Sequence, residues 1–529
     1  MKIGKKFYTA IVIFVVVALM GSVFLGCKKE EKTGGTMRLY IHEPVSLDPP
    51  NSYESEGIQV IRQVWDGLVE YDPETLKVEP AIAKSWDISD DGLVYTFHLK
   101  KGVKFHSGRE LVADDFVYSW SRVARAETAS YLAYHMDPIL GYEELQAGEG
   151  DTLEGLKAID DYTLQVTLRY PYGDFINTLG HVVFYPVAKE DIEKWGDQYA
   201  EHINGTGPFK FVEWKHDQYI DLERNDDYYG DKASLEKVRY SIFADENTAF
   251  LEFQAGNLEY CAIPQGKVKS ILDDPKLGDL AIIKPLLAIY YFGLNVQIEP
   301  FKDNLALREA INYAIDRQNI IDVISEGVPT IATGFVPKGI NGYQENASKY
   351  VYDVEMAKKK LEEAGYPGGE GLPTLTFGIN LGSGHELIAE AMQADLKEIG
   401  IEVEIQGMEW GAALDAFKKG EISFFRLGWI ADYPTMDNFL FPLFYSKSAD
   451  NYVGYNNPEV DEMLLDARKT IDEEERIEKY RAVEKKILDD SAFVLIYFYG
   501  SRRIVQPYVK GFVLDAMENY DLSKVWLEQ

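Results

Sequence analysis

Apolar and polar positions alternate along this chain in short runs whose period changes often. Asp161-Tyr162-Thr163-Leu164-Gln165-Val166-Thr167-Leu168 alternates with period two, as does Gly92 to Leu99, and both predict half-buried strands. Leu307, Ala310, Ile311, Ala314 and Ile315 recur at helical spacing. Asp353 followed by Val354, Ala357, Leu361 and Ala364, then Gly365 and Pro367, predicts a helix with an acidic N-cap and a glycine terminator. Beyond it, Thr374 to Ile379 reads as a strand, Glu386 to Ile399 as a helix ending at Gly400, and Ile401 to Ile405 as a further strand. This β-α-β order predicts a partly parallel sheet with crossover helices. No repeat, coiled coil or low-complexity block interrupts the pattern, and no linker is visible after residue 36. Domains without linkers predict a chain that passes between them more than once.

The first residues have a different layout. Lys2, Lys5 and Lys6 precede an apolar run from Phe7 to Met20, and Gly21-Ser22-Val23-Phe24-Leu25-Gly26-Cys27 follows, the order of an export signal. Cys27 after Leu25-Gly26 resembles a bacterial lipobox, with Phe24 where leucine is usual, and this implies an acylated cysteine. The alternative is an uncleaved anchor, since Phe7 to Gly26 is about long enough to span a bilayer. Lipidation is the favoured reading, because a cysteine at that spacing is otherwise a coincidence in a chain with two. Residues 28–36 read as a charged, glycine-bearing tether. The expectation is an exported protein, lipid-anchored at the outer face of the cytoplasmic membrane or in the periplasm.

A formal charge of −33 excludes nucleic acid as a partner, because phosphates require a basic surface. Cys261 is the only thiol of the mature body, so an internal disulfide is excluded; its apolar neighbours predict a small buried residue and not a nucleophile. The chain carries 35 Tyr and 8 Trp, an excess that suits a large core and also a concave site for organic ligands.

One stretch carries recognisable chemistry. In Arg426-Leu427-Gly428-Trp429-Ile430-Ala431-Asp432-Tyr433-Pro434, a cation and an anion bracket an apolar segment. With a β period, Arg426, Gly428, Ile430 and Asp432 share one side. A partly desolvated carboxylate beside an indole needs a positive partner, so the stretch predicts recognition of an amine. Catalytic signatures are lacking. The eight histidines form no metal-ligand spacing; His385-Glu386 begins a zincin motif but has no second histidine four residues on, and neither a nucleophile elbow nor a P-loop occurs. Gly205-Thr206-Gly207-Pro208 reads as a turn before the strand Phe209 to Val212. Carboxylate pairs such as Asp90-Asp91, Asp114-Asp115 and Asp226-Asp227 are expected by chance among 87 acidic residues. No catalytic residue, metal or cofactor is expected.

Several segments together resemble the large extracytoplasmic solute-binding proteins of ABC importers, the oligopeptide, dipeptide and nickel binders of family 5. The most diagnostic block runs from Ala83-Lys84-Ser85-Trp86 through Asp90 to Gly108 and on to Ala113-Asp114-Asp115-Phe116-Val117-Tyr118-Ser119-Trp120. Leu47-Asp48-Pro49, Asn225 to Gly230, Arg308 to Arg317 and Tyr455 to Asp461 support it. The resemblance implies an α/β, two-lobed periplasmic-binding-protein type II-like fold (class C) with an extra inserted domain. The first lobe would comprise 37–66, 190–287 and 501–529, the inserted domain 67–189, and the second lobe 288–500.

The same resemblance implies site residues. Asp432 would meet a peptide's α-ammonium, and Gly428, Trp429 and Ile430 would pair with its backbone, a β-augmentation inside a cleft. Glu56, Gly57 and Ile58 would form the opposing backbone strand. Trp429 and Trp410 would line pockets, Tyr131, Tyr291 and Tyr499 would supply aromatic contacts, and His385 lies near a family histidine. Arg426 would take the ligand's carboxylate or form an internal salt bridge. Departures occur where a family arginine falls at Phe417, next to Lys418, and a lysine is replaced by Ile298. The expected protein is a monomeric receptor that delivers short peptides to the transmembrane subunits of an ABC permease. Its alternatives are the same receptor for an oligosaccharide, nickel chelate or haem, and, from another class, a secreted carboxylate hydrolase.

Overall fold

The computed structural model describes residues 34–528, so the export signal, Cys27 and most of the 28–36 tether lie outside the described residues. Three sheets carry the architecture. A seven-stranded sheet has the order Ala281–Ile282, Arg503–Val505, Tyr260–Ala262, Thr36–Ile41, Lys237–Ile242, Tyr219–Arg224 and Phe209–Lys215. A six-stranded sheet has the order Thr330–Ile331, Phe493–Gly500, Pro285–Leu294, Phe424–Ile430, Leu375–Asn380 and Val403–Met408. A four-stranded antiparallel sheet joins Ala83–Ile88, Val94–Leu99, Thr163–Thr167 and Leu156–Asp160. The first sheet draws strands from both ends of the chain and the second from the stretch between, so the backbone crosses from one to the other near 283 and back near 501.

The local reasons are those the pattern predicts. Asp353 caps Val354–Glu363 by accepting from the Met356 N–H. Leu375–Asn380 and Val403–Met408 pair in parallel across the helix His385–Glu398, the expected crossover unit. The ten apolar residues of Pro285–Leu294 serve two cores: Leu287, Ile289 and Tyr291 pack into one cluster, and Tyr290, Phe292 and Leu294 into another on the opposite face. A strand covered on both sides has no reason to alternate. Burying each of these side chains stabilises the fold by about 1.5–3 kcal/mol. Cys261 is buried, and burial pushes its thiol up, as an inert core residue requires. The turn at Gly205 to Pro208 closes on a helix end, with the Gly207 N–H donating to the Val64 carbonyl at 2.8 Å.

One expectation fails. Glu56, Gly57 and Ile58 form the first turn of a helix, Ser55–Val64, and not a strand. The Glu54 carboxylate caps it by accepting from the Glu56 N–H at 2.8 Å and the Gly57 N–H at 3.0 Å, which removes those donors from any ligand. Val60, Ile61 and Val64 bury the inner face, a helical spacing that the match to a strand overlooks. Gly57 is held by crowding, since a Cβ there would lie 2.5 Å from the Ser46 carbonyl oxygen.

Candidate ligand-binding site

The strand Phe424–Ile430 is paired along one edge only over much of its length. It runs antiparallel to Pro285–Leu294 from Phe424 to Ile430, but meets Leu375–Asn380 only at Phe424 and Phe425. The Ala431 N–H donates to the Leu287 carbonyl at 2.9 Å, which makes Ala431, Trp429 and Leu427 the residues bonded to that neighbour. The N–H and C=O groups of Gly428 and Ile430 therefore face the open edge. That edge borders a cavity of about 870 Å³, which Gly428, Trp429 and Ile430 line together with Arg426 and Asp432. Gly428 permits a tight wall: a Cβ would lie 2.8 Å from the Tyr499 hydroxyl.

A charged group stands at each end of this rail. At one end, the Asp432 carboxylate lies 3.5 Å from His181 Nε2. His181 Nδ1 accepts from the Val183 N–H at 3.1 Å, which leaves the ring proton on Nε2, aimed at the carboxylate. Asn438 completes the support, donating from Nδ2 to Asp432 at 3.1 Å while its Oδ1 accepts from the Asp432 N–H and Trp429 Nε1–H, each at 3.0 Å. Burial works to raise the Asp432 acid, but His181 and these hydrogen bonds outweigh it and hold it below the usual range. Among the described residues, no lysine or arginine pairs with this carboxylate.

At the other end, Arg426 is 8% exposed and donates to Asn380 Oδ1 at 3.0 Å and to the Tyr499 hydroxyl at 2.6 Å, its guanidinium 4.6 Å from the Tyr290 ring centroid. No carboxylate pairs with it among the described residues, so the internal salt bridge is not formed, and its Nε is buried without a partner. His385 accepts or donates at 3.2 Å with the Tyr290 hydroxyl; burial, then the Arg426 charge, holds its pKa well below the ordinary value, so it is neutral. About six residues of strand separate the two charges, or about 20 Å.

Of the other expected residues, Trp410, Tyr291, Tyr499, His385, Glu56 and Ile58 line the cavity, whereas Gly57 and Tyr131 do not. Tyr131 is 41% exposed and lies edge-on to Tyr53 at 5.1 Å. On the wall where Glu56 to Ile58 were expected as a strand, the irregular segment Glu43-Pro44-Val45, just after Thr36–Ile41, takes part in the lining. His181 and Asn438 were also missed. Asn438 had a signal, six residues after Asp432 at a helix start; His181 had none, being some 250 residues away in sequence.

The profile of the bacterial extracellular solute-binding proteins, family 5 (middle), matches residues 77–451. The oligopeptide-binding protein OppA of Bacillus subtilis is 31% identical over 503 residues, covering 92% of each chain. The heme-binding protein A of Haemophilus influenzae is 30% identical, over 85% of this chain and 84% of its own. Among solved structures, the murein tripeptide binding protein MppA of Escherichia coli superposes with a TM-score of 0.86 at 27% identity, over 94% of this chain and 99% of its own. The unliganded open form of MppA gives 0.67 at 28% identity, over 94% of this chain and 98% of its own. The likeness spans the described chain and carries the two-lobed type II-like fold. The chain belongs to the bacterial extracellular solute-binding proteins, family 5, which are transport receptors and not enzymes.

Proposed function

We propose that this receptor binds short peptides in the cleft between its lobes and hands them to the transmembrane subunits of an ABC permease. The observation that carries the reading is Asp432, a half-buried carboxylate with no lysine or arginine partner among the described residues, at the end of a strand whose Gly428 and Ile430 backbone groups face the cavity. A ligand α-ammonium supplies the missing charge, and its backbone adds to the open edge without reading sequence. Arg426 offers a guanidinium for the terminal carboxylate of a ligand long enough to reach it. Hydrated side-chain pockets make promiscuity inexpensive, because water rearranges around different side chains.

The lobe limits 37–66, 67–189, 190–287, 288–500 and 501–529, the monomeric state and an acylated Cys27 at the membrane belong to this proposal. Closure would bury the ligand, and the closed form would dock on the permease. Calorimetry on the Asp432→Ala variant tests the reading. Truncating one partner of a buried charged pair costs about 2–5 kcal/mol, so peptide affinity should fall by roughly a hundredfold or more. N-acetylated peptides should lose as much against the parent protein. Equal affinity in both comparisons would remove Asp432 from the site.

A further inference from the structure

Asp450 is a second buried carboxylate that faces the cavity, and recognition of the peptide's ends leaves it unused. It is 7% exposed and lines the cavity. The Tyr134 hydroxyl donates to its Oδ2 at 2.8 Å; among the described residues, Oδ1 receives no hydrogen bond and no cation pairs with the group. The Lys418 ammonium forms no ion pair with it: it lies 3.2 Å from the ring centroid of Tyr131, 5.0 Å from Tyr53 and 5.6 Å from Tyr452, and Lys418 does not line the cavity. Tyr53, Tyr134, Tyr291 and Tyr452 line the same cavity as Asp450, so the carboxylate opens onto a space with aromatic walls. Its neighbourhood is the amine end of the rail: Tyr134, which donates to it, stacks on His135 at 4.4 Å, His135 stacks on His181 at 4.8 Å, and His181 Nε2 lies 3.5 Å from Asp432.

A carboxylate in such surroundings, with one hydrogen bond, has lost water without full compensation. A lysine or arginine side chain offers what is missing: an aliphatic stem for the rings and a charged head for Oδ1, with further attraction from the ring faces. An acidic side chain would meet two like charges. We infer that Asp450 is a specificity-determining residue, forming with its tyrosine rings a pocket for a cationic side chain on the first residue of the bound peptide. This rests on the peptide reading above.

Calorimetry with Lys-Ala-Ala, its uncharged analogue norleucyl-Ala-Ala, and Ala-Ala-Ala tests it. The parent protein at pH 7.5 should prefer Lys-Ala-Ala over the norleucyl peptide by about tenfold or more, the scale of a hydrogen bond to a charged group. In Asp450→Asn the two should bind alike, with Ala-Ala-Ala affinity retained. Equal binding by the parent, or a preference that survives in the variant, would overturn the inference. Failure of Ala-Ala-Ala to bind the parent would instead overturn the peptide reading beneath it. A second measurement needs no variant. Burial lifts the Asp450 acid to about 6, against the Tyr134 hydrogen bond and the Lys418 charge, so the parent's preference should shrink between pH 7.5 and 5. The amine end, with Asp432 and His181, is common to all three peptides and cancels in the ratio. A preference constant across that range would also overturn the assignment.

Discussion

The behaviour of Arg426 separates binding from stability. A buried guanidinium held by an amide, a phenol and a ring face, with no carboxylate, has given up hydration for incomplete return. Arg426→Met should therefore raise the free energy of unfolding, towards the roughly 1–4 kcal/mol seen when buried ion pairs are replaced by apolar residues of similar volume. The same change should abolish any preference for free-carboxylate peptides over their C-terminal amides, which calorimetry reads directly. A stable variant that still discriminates would place the carboxylate elsewhere. Asp432 and Arg426 were legible in the sequence because a lone charge in an apolar strand demands a partner. Asp450 was not, being one of 87 acidic residues until folding surrounded it with tyrosines. His181 was invisible for a related reason: its role comes from contact with a residue far along the chain.

The helix Met436–Phe444, which supplies Asn438, is fixed by its neighbour Asp437. That carboxylate is fully buried and accepts from Arg468 Nε and Nη2 at 2.8 Å each, and from the hydroxyls of Tyr172, Tyr433 and Tyr480 at 2.7, 2.9 and 2.6 Å. Burial alone would raise its acid, but Arg468 and the hydroxyls of Tyr480 and Tyr172 hold it below the usual range. Asp437→Ala leaves Arg468 buried and unpaired, so unfolding by denaturant should show a loss of about 3–5 kcal/mol. A loss under 1 kcal/mol would mean that the network does not anchor the helix. Some elements could be read beforehand, since Val94–Leu99, Leu305–Ala314, Val354–Glu363 and His385–Glu398 carry clean periods or caps. The helix Ser55–Val64 was misread in its first turn because a short match to a strand was placed above the Val60, Ile61 and Val64 spacing. The twin-core strand Pro285–Leu294 shows the opposite limit: a run buried on both faces has no period to read.

At the scale of the molecule, the site is assembled from distant parts of the chain. His181 meets Asp432, Tyr134 meets Asp450 and Tyr172 meets Asp437, each joining the segment that holds the four-stranded sheet to the part that holds the rail. His42, just after a strand of the seven-stranded sheet, reaches Ser383 at 3.3 Å. With the higher similarity to one MppA structure than to its open form, these contacts describe a closed arrangement. Closing over an empty cleft would leave Asp432 without a lysine or arginine partner among the described residues, so a ligand ammonium favours the closed state by the charge it brings. Repeated crossings followed from the missing linkers and the two lobes from the family resemblance; the closed state followed from neither, because it depends on contacts between residues hundreds of positions apart. The most direct measurement of the central claim is mass spectrometry of whatever is released when freshly purified protein is denatured. The account predicts a ladder of mixed short peptides with free amino termini, and a single sugar, metal chelate or haem would contradict it.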